Sequence, residues 1–178
     1  GYMIPNGTDM RLRINPGASH KSKEMLFVGS GHPPNVVAAR NLIPIAEAFP
    51  DYTFNIVGEC SYHLKEDKLP KNMNLMGKVN DAVLEKLFTN SFAFINPMEE
   101  GSGTHLKVMR SLSYALPIVS STVGARGFSE DEIKDTILIA NNSREIIEAI
   151  KKLQDRDYYA IVSKNSLKIV ATYDWKKI

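Results

Sequence analysis

Short apolar segments, separated by stretches with helical spacing, narrow the folds open to this chain more than any other feature. Met25-Leu26-Phe27-Val28 runs into Gly29-Ser30-Gly31, Tyr52 to Val57 ends at Gly58-Glu59, and Asn74 to Met76 ends at Gly77. Phe92 to Asn96, Leu116 to Ser120 and Thr136 to Ala140 continue the series. Segments this short and continuously apolar are strands covered on both faces. Between them Val36, Ala39, Leu42, Ile43 and Ala46 recur at helical spacing behind Pro33-Pro34-Asn35, which suit a first helical turn, and Pro44 interrupts or kinks that helix. Asn80 or Asp81 caps a helix through Phe88, Leu106, Met109, Leu112 and Ala115 mark another, and Ser143 caps one from Arg144 to about Leu153. Asp157 starts a last helix toward Trp175, while residues 60–71 look charged and irregular. Strands alternating with helices predict a parallel sheet of about six strands with helices on both faces, a Rossmann-like α/β domain.

The 178 residues suffice for one domain with a tail. A net charge of +2 does not point to nucleic acid, and a single cysteine, Cys60, excludes an internal disulfide framework and fits a reducing compartment. No run reaches the ~18 apolar residues of a membrane span, and no signal-peptide pattern opens the chain. The chain starts at Gly1 and is expected to be a fragment. Residues 1–23 are expected to be a connector arm, 24–156 the nucleotide-binding domain and 157–178 a C-terminal helix.

The chemistry concentrates in Pro97-Met98-Glu99-Glu100-Gly101-Ser102-Gly103-Thr104-His105-Leu106-Lys107-Val108-Met109-Arg110. A strand, a glycine-rich loop and a helix follow one another, so unpaired N–H groups and a positive dipole end face the loop. In open α/β sheets ligands bind at the carboxyl ends of strands near a reversal of strand order. Gly29-Ser30-Gly31, Gly58-Glu59, Gly77-Lys78-Val79 and Glu99 to Lys107 all leave such ends.

These segments resemble the C-terminal, donor-binding half of a GT-B glycosyltransferase of the family-4 or "group 1" retaining type. Met3-Ile4-Pro5-Asn6-Gly7-Thr8-Asp9 resembles the inter-domain junction, Leu26-Phe27-Val28-Gly29 the first strand and turn, and Met76-Gly77-Lys78-Val79 the segment whose backbone meets the nucleobase. Gly101-Ser102-Gly103-Thr104-His105-Leu106-Lys107-Val108, followed by Ala115 to Ser120, resembles the variant "GSGTRLKVLEAMAxGxPVVST". Ser121 to Phe128 and Tyr173-Asp174-Trp175 extend the match over nearly the whole chain.

The resemblance implies the C-terminal half of a GT-B fold and a hexosyltransferase acting in polysaccharide or cell-surface glycan synthesis. It implies donor contacts from Gly29, Ser30, Gly31, Gly77, Lys78, Val79, Gly101, Ser102, Gly103, Thr104, His105, Leu106 and Arg110, with Glu100 and Lys107 as catalytic groups. The partners implied are a nucleotide-diphosphate sugar and a glycan or lipid-linked acceptor held by an N-terminal domain toward which the last helix packs. No nucleic acid, metal or other cofactor is expected. The expected place is the cytoplasm, with peripheral association at the inner face of the membrane, and this fragment alone is expected to transfer no sugar.

The chain departs from the family at informative places. Many relatives carry two glutamates eight positions apart, where this chain has Ser102 and Arg110. Relatives often carry an Arg after the first glycine turn and a Lys on the next helix, whereas here Ser30-Gly31-His32 follows and Arg40 is that helix's basic residue. Plainer readings stand beside the sharp ones. Ser102 and Thr104 are N-cap types, Lys107 and His105 suit an exposed turn, and Arg110 suits a surface ion pair with Glu99 or Glu100. Cys60 suits a structural role, Met73, Met76 and Met109 suit core packing, and His20, His32 and His63 lack ligand spacing. Rival functions are a non-catalytic nucleotide- or phosphate-binding module, a nicotinamide-binding domain lacking the third glycine of its fingerprint, and a receiver domain lacking its acidic cluster.

Overall fold

A computed structural model of the protein describes residues 18–101 and 104–173. Its strands are β1 (Glu24–Val28), β2 (Thr53–Val57), β3 (Met73–Gly77), β4 (Ala93–Asn96), β5 (Ile118–Ser120) and β6 (Ile137–Ile139). The helices are α1 (Pro33–Asn41), α2 (Ile43–Ala48), α3 (Asp81–Asn90), α4 (Thr104–Ser113), α5 (Glu130–Ile133), α6 (Ser143–Leu153) and α7 (Arg156–Thr172), with a 3-10 helix over Glu59–Leu64. The six strands form one parallel sheet in the order β3-β2-β1-β4-β5-β6. Helices cover both faces, as the apolar runs require.

Alternation along each strand builds two cores. Met25 and Phe27 of β1, with Ala93 and Ile95 of β4, join residues of α1, α2 and α6 on one face. Leu26 and Phe94 point the other way, into a cluster with Phe88, Val108 and Leu112 from α3 and α4. The last helix packs on α4 and α6. It is anchored by buried Tyr159, whose hydroxyl donates to the Phe92 carbonyl at 2.6 Å. Met73 is buried, and Met76 and Met109 pack against the second core, as core filler should. Among the described residues no helix is long and apolar enough to cross a membrane.

Several boundaries differ from the sequence expectation. Pro44 ends α1 at Asn41 and sits in the first turn of a separate helix, α2, where its missing N–H costs nothing. Residues 59–64 are a 3-10 helix rather than irregular chain, because Cys60, Ser61 and Leu64 are buried on one side of it. The cap of α6 is Asn142, not Ser143: its side chain accepts from the Glu145 N–H while Glu145 accepts from the Asn141 N–H. Asp155, not Asp157, caps α7. Leu116 and Pro117 precede β5, since Pro117 has no N–H to give to a ladder and contributes only its carbonyl, to Phe94. Helix α5 was not expected; it starts on a capping box between Ser129 and Glu132.

Gly58 sets how closely β2 approaches the turn after β1. Its φ is +100°, and a Cβ there would stand 2.1 Å from the Gly29 carbonyl oxygen. Gly58→Ala is therefore expected to lose about 3 kcal/mol or more of stability in urea unfolding. Gly31→Ala, with ordinary backbone and only the Glu59 side chain 3.3 Å away, should stay within about 1 kcal/mol of the parent.

Candidate functional site

The chain leaves β1 toward β2 on one side and returns to β4 on the other, so the loops after β1 and β4 lie side by side at the reversal of strand order. In the first loop, Asn35 of α1 donates to the Ser30 hydroxyl at 3.0 Å. Helix α1 has little backbone to offer an anion. Pro33 and Pro34 carry no N–H, and the N–H groups of Asn35 and Val36 both donate to the His32 carbonyl. The positive charge beside this loop has another source.

It comes from α4. The Lys107 side chain crosses from the second turn of that helix, donates its Nζ hydrogen to the Asn35 Oδ1, and lies 5.0 Å from the centroid of the Phe27 ring. Burial pulls its ammonium down from the ordinary 10.5 to about 8, and the same surroundings push the buried Cys60 thiol up to about 11. Lys107 is not the solvated surface charge that its place on an amphipathic helix suggested. Among the described residues its one hydrogen-bond partner is neutral, so the cation is desolvated without a counter-charge. Arg40 does not share this role: it binds Asp67 at 2.7 Å and the His63 carbonyl at the far end of α1.

On the other side of the first loop, Ser30, Gly31, His32, Pro33, Glu59, Tyr62 and His63 line an open cleft of about 430 Å³. The Glu59 carboxylate accepts from the Gly31 N–H at 3.3 Å and pairs with Lys78 Nζ at 2.6 Å. Lys78 first, and then the Gly31 N–H, hold its pKa below the usual carboxylate range. The Ser61 hydroxyl accepts from the Gly77 N–H and the Tyr62 hydroxyl from the Lys78 N–H. Gly77 (φ +64°) tolerates the Tyr62 ring because it has no Cβ. Val79 packs partly buried against the second core.

The loop after β4 is pinned from below. The Ser121 hydroxyl donates to the Met98 carbonyl at 2.5 Å, and Asn96 is fully buried against Ser120 and Gly124. Glu99 accepts from Asn41 at 2.8 Å, and Glu100 and Leu106 are exposed. The expected ion pair of Arg110 with Glu99 or Glu100 is not what forms. The Arg110 guanidinium stacks 5.1 Å from the Phe88 ring on α3, because the helix turns it away from the loop. Gly101 (φ +115°) ends the described part of the loop; Ser102 and Gly103 lie outside the described residues, and Thr104 and His105 are described only as helical backbone of α4.

The fold thus joins Gly29, Ser30, Gly31 and Lys107 through Asn35, and brings Gly77 and Lys78 to them through Glu59. It sets Arg110 apart. Asn35, Glu59, Tyr62, His32 and His63 were not among the predicted site residues, although Gly58-Glu59 had been marked as a strand-end loop. Among the described residues no cluster of three or more His, Cys, Asp or Glu could hold a metal ion.

The model of the family described as glycosyl transferases group 1 matches residues 22–156. The chain belongs to that family. No curated protein sequence matches it. Solved structures show the shared fold at low identity. The C-terminal domain of a glycosyl transferase group 1 protein from Francisella tularensis aligns with TM-score 0.63 at 15% identity, over 85% of each chain. Sucrose-phosphate synthase from Thermosynechococcus elongatus gives 0.72 at 16%, over 98% of this chain and 49% of that one. The Anabaena protein HepE, solved with UDP and glucose, gives 0.67 at 15%, over 88% and 47%. The six-stranded domain described above is the C-terminal half of a GT-B fold, and the chain spans about half the length of these two longer proteins.

The buried ammonium has a cost in this family member that can be measured. Between pH 8 and 10.5 the unfolded chain holds a proton on Lys107 that the folded chain has lost, so folding becomes more favourable as pH rises through that window. Lys107→Met, which removes the charge, should gain up to roughly 3 kcal/mol over the parent at pH 7, less the lost bond to Asn35. The two proteins should converge above about pH 10.5 in urea unfolding.

Proposed function

We propose that this chain is the donor-binding domain of a retaining glycosyltransferase that moves a sugar, of hexosyl type, from a nucleotide diphosphate to a glycan or lipid-linked acceptor. The observation that carries this reading is the Lys107 ammonium, half-buried beside the Ser30 loop at the reversal of strand order and without a counter-charge among the described residues. Where relatives draw a cation from the first helix, this chain reaches the same loop from α4. The family match and the UDP and UDP-glucose bound to HepE support a nucleotide sugar as ligand.

In the proposed reaction the bond from the anomeric carbon to the diphosphate breaks, and negative charge builds on the leaving phosphate. Lys107 and the N–H groups of the loops meet that charge, in a site that needs no metal. Glu100, exposed beside them, contacts sugar hydroxyls. The acceptor comes from a second domain across the cleft, so this chain alone binds donor without transferring sugar. Lipid-linked acceptors place the reaction at the inner face of the membrane, where the longer protein associates peripherally.

The second reading, a phosphate-binding module without catalysis, draws on Arg110, which stacks on Phe88 where relatives present a glutamate. Titration of UDP, GDP and ADP into the protein tests the first requirement. One of them should bind, and Lys107→Ala should weaken it roughly 10- to 100-fold, the worth of a charge-assisted contact. Affinity should be full at pH 7 and fall above pH 8 as the ammonium deprotonates. Absence of binding by all three sinks the donor-domain reading. Binding without sugar transfer by the two-domain protein favours the module.

A further inference from the structure

The 59–64 helix takes up the very groups that a nucleotide would use. Gly58 brings the end of β2 against Gly29, so the first side chain after it, Glu59, emerges between the loops that follow β1 and β3. One carboxylate oxygen accepts from the Gly31 N–H, and the other pairs with the Lys78 ammonium. One turn on, the Tyr62 hydroxyl takes the Lys78 N–H at 3.1 Å with its ring against Gly77. Gly31 and Lys78 are two of the residues expected to meet the donor, Lys78 by its backbone at the base, which leaves its ammonium for the phosphates.

We propose that Glu59 and Tyr62 form an internal stand-in for the nucleotide, with the Glu59 carboxylate in the place of an anion, so that donor must displace them to bind. The inference rests on the donor-domain reading above. The latch is built to yield. The Glu59 and Lys78 side chains are 44% and 68% exposed, and an exposed ion pair of this kind is weak. The Gly31 bond is long at 3.3 Å. Beneath it, Ser61 keeps its buried bond to the Gly77 N–H, so the outer side chains can turn aside while the helix stays anchored. A diphosphate carries more charge than one carboxylate and can take Lys78 and the Gly31 N–H together. Donor affinity is thereby set below what the site's cations alone provide, which keeps the site closed to weaker anions.

A carboxylate that merely contacts ligand predicts the opposite sign, so the measurement is decisive. UDP, GDP and ADP are titrated into the protein, Glu59→Gln, Tyr62→Phe and the double variant Glu59→Gln/Lys78→Met. Glu47→Gln, an exposed site on α2, controls for charge alone. Glu59→Gln should bind three- to tenfold more tightly, Tyr62→Phe about twofold, Glu47→Gln unchanged, and the double variant should lose the gain. Unchanged or weaker binding by Glu59→Gln, or an equal gain in Glu47→Gln, overturns the stand-in and leaves the donor domain intact. No binding by any of these proteins removes the donor-domain reading, and the stand-in with it.

Discussion

The position of β1, flanked by β2 on one side and β4 on the other, is the constraint on which the rest of the site depends. Two loops that are about 70 residues apart in sequence leave the sheet side by side there. Because β1 alternates Met25 and Phe27 to one core and Leu26 to the other, it cannot shift register without exposing one of them. The Phe27 ring then forms the wall against which Lys107 is desolvated, and Asn35, in the first turn of α1, supplies its only hydrogen-bond partner among the described residues.

That burial gives Lys107 a different character from the lysines around it. A surface lysine is a hydrated charge whose contacts are screened, and Lys78, opposite Glu59, is of that kind. Lys107 has given up water for an aromatic face and one amide oxygen. Desolvation is what lowers its pKa, and a nearby anion would raise it again. The two prolines of α1 remove backbone donors that a helix N-terminus would otherwise present, and Asn35 and Val36 turn theirs to the His32 carbonyl.

The 59–64 helix gives the same edge its opposite tendency. It lines the cleft with a carboxylate and a phenol, and does so from a turn whose inner face is buried by Cys60, Ser61 and Leu64. With Lys107 on one wall and the Glu59 carboxylate on the other, the proposed donor affinity is a difference between two interactions. Arg110 belongs to neither, because packing on Phe88 ties it to the second core's edge.

Much of this was legible in the residues. Continuous apolar runs ending in glycine dictate buried parallel strands, because only an all-round apolar strand can lie between two layers of helices. The spacing of Leu106, Met109 and Leu112 marked the helix that the structure shows as α4. What one sequence could not convey were the contacts between loops distant in the chain. Lys107 follows an amphipathic pattern that fits solvent or core equally, and only the approach of α1 decides that it is buried. Glu59 is one acidic residue among many until Gly58 sets it between Gly31 and Lys78. Local sequence determines which strands and helices form, through side-chain periodicity and caps. The tertiary structure alone decides which charges lose their water, since desolvation depends on neighbours that the chain brings together only when it is folded.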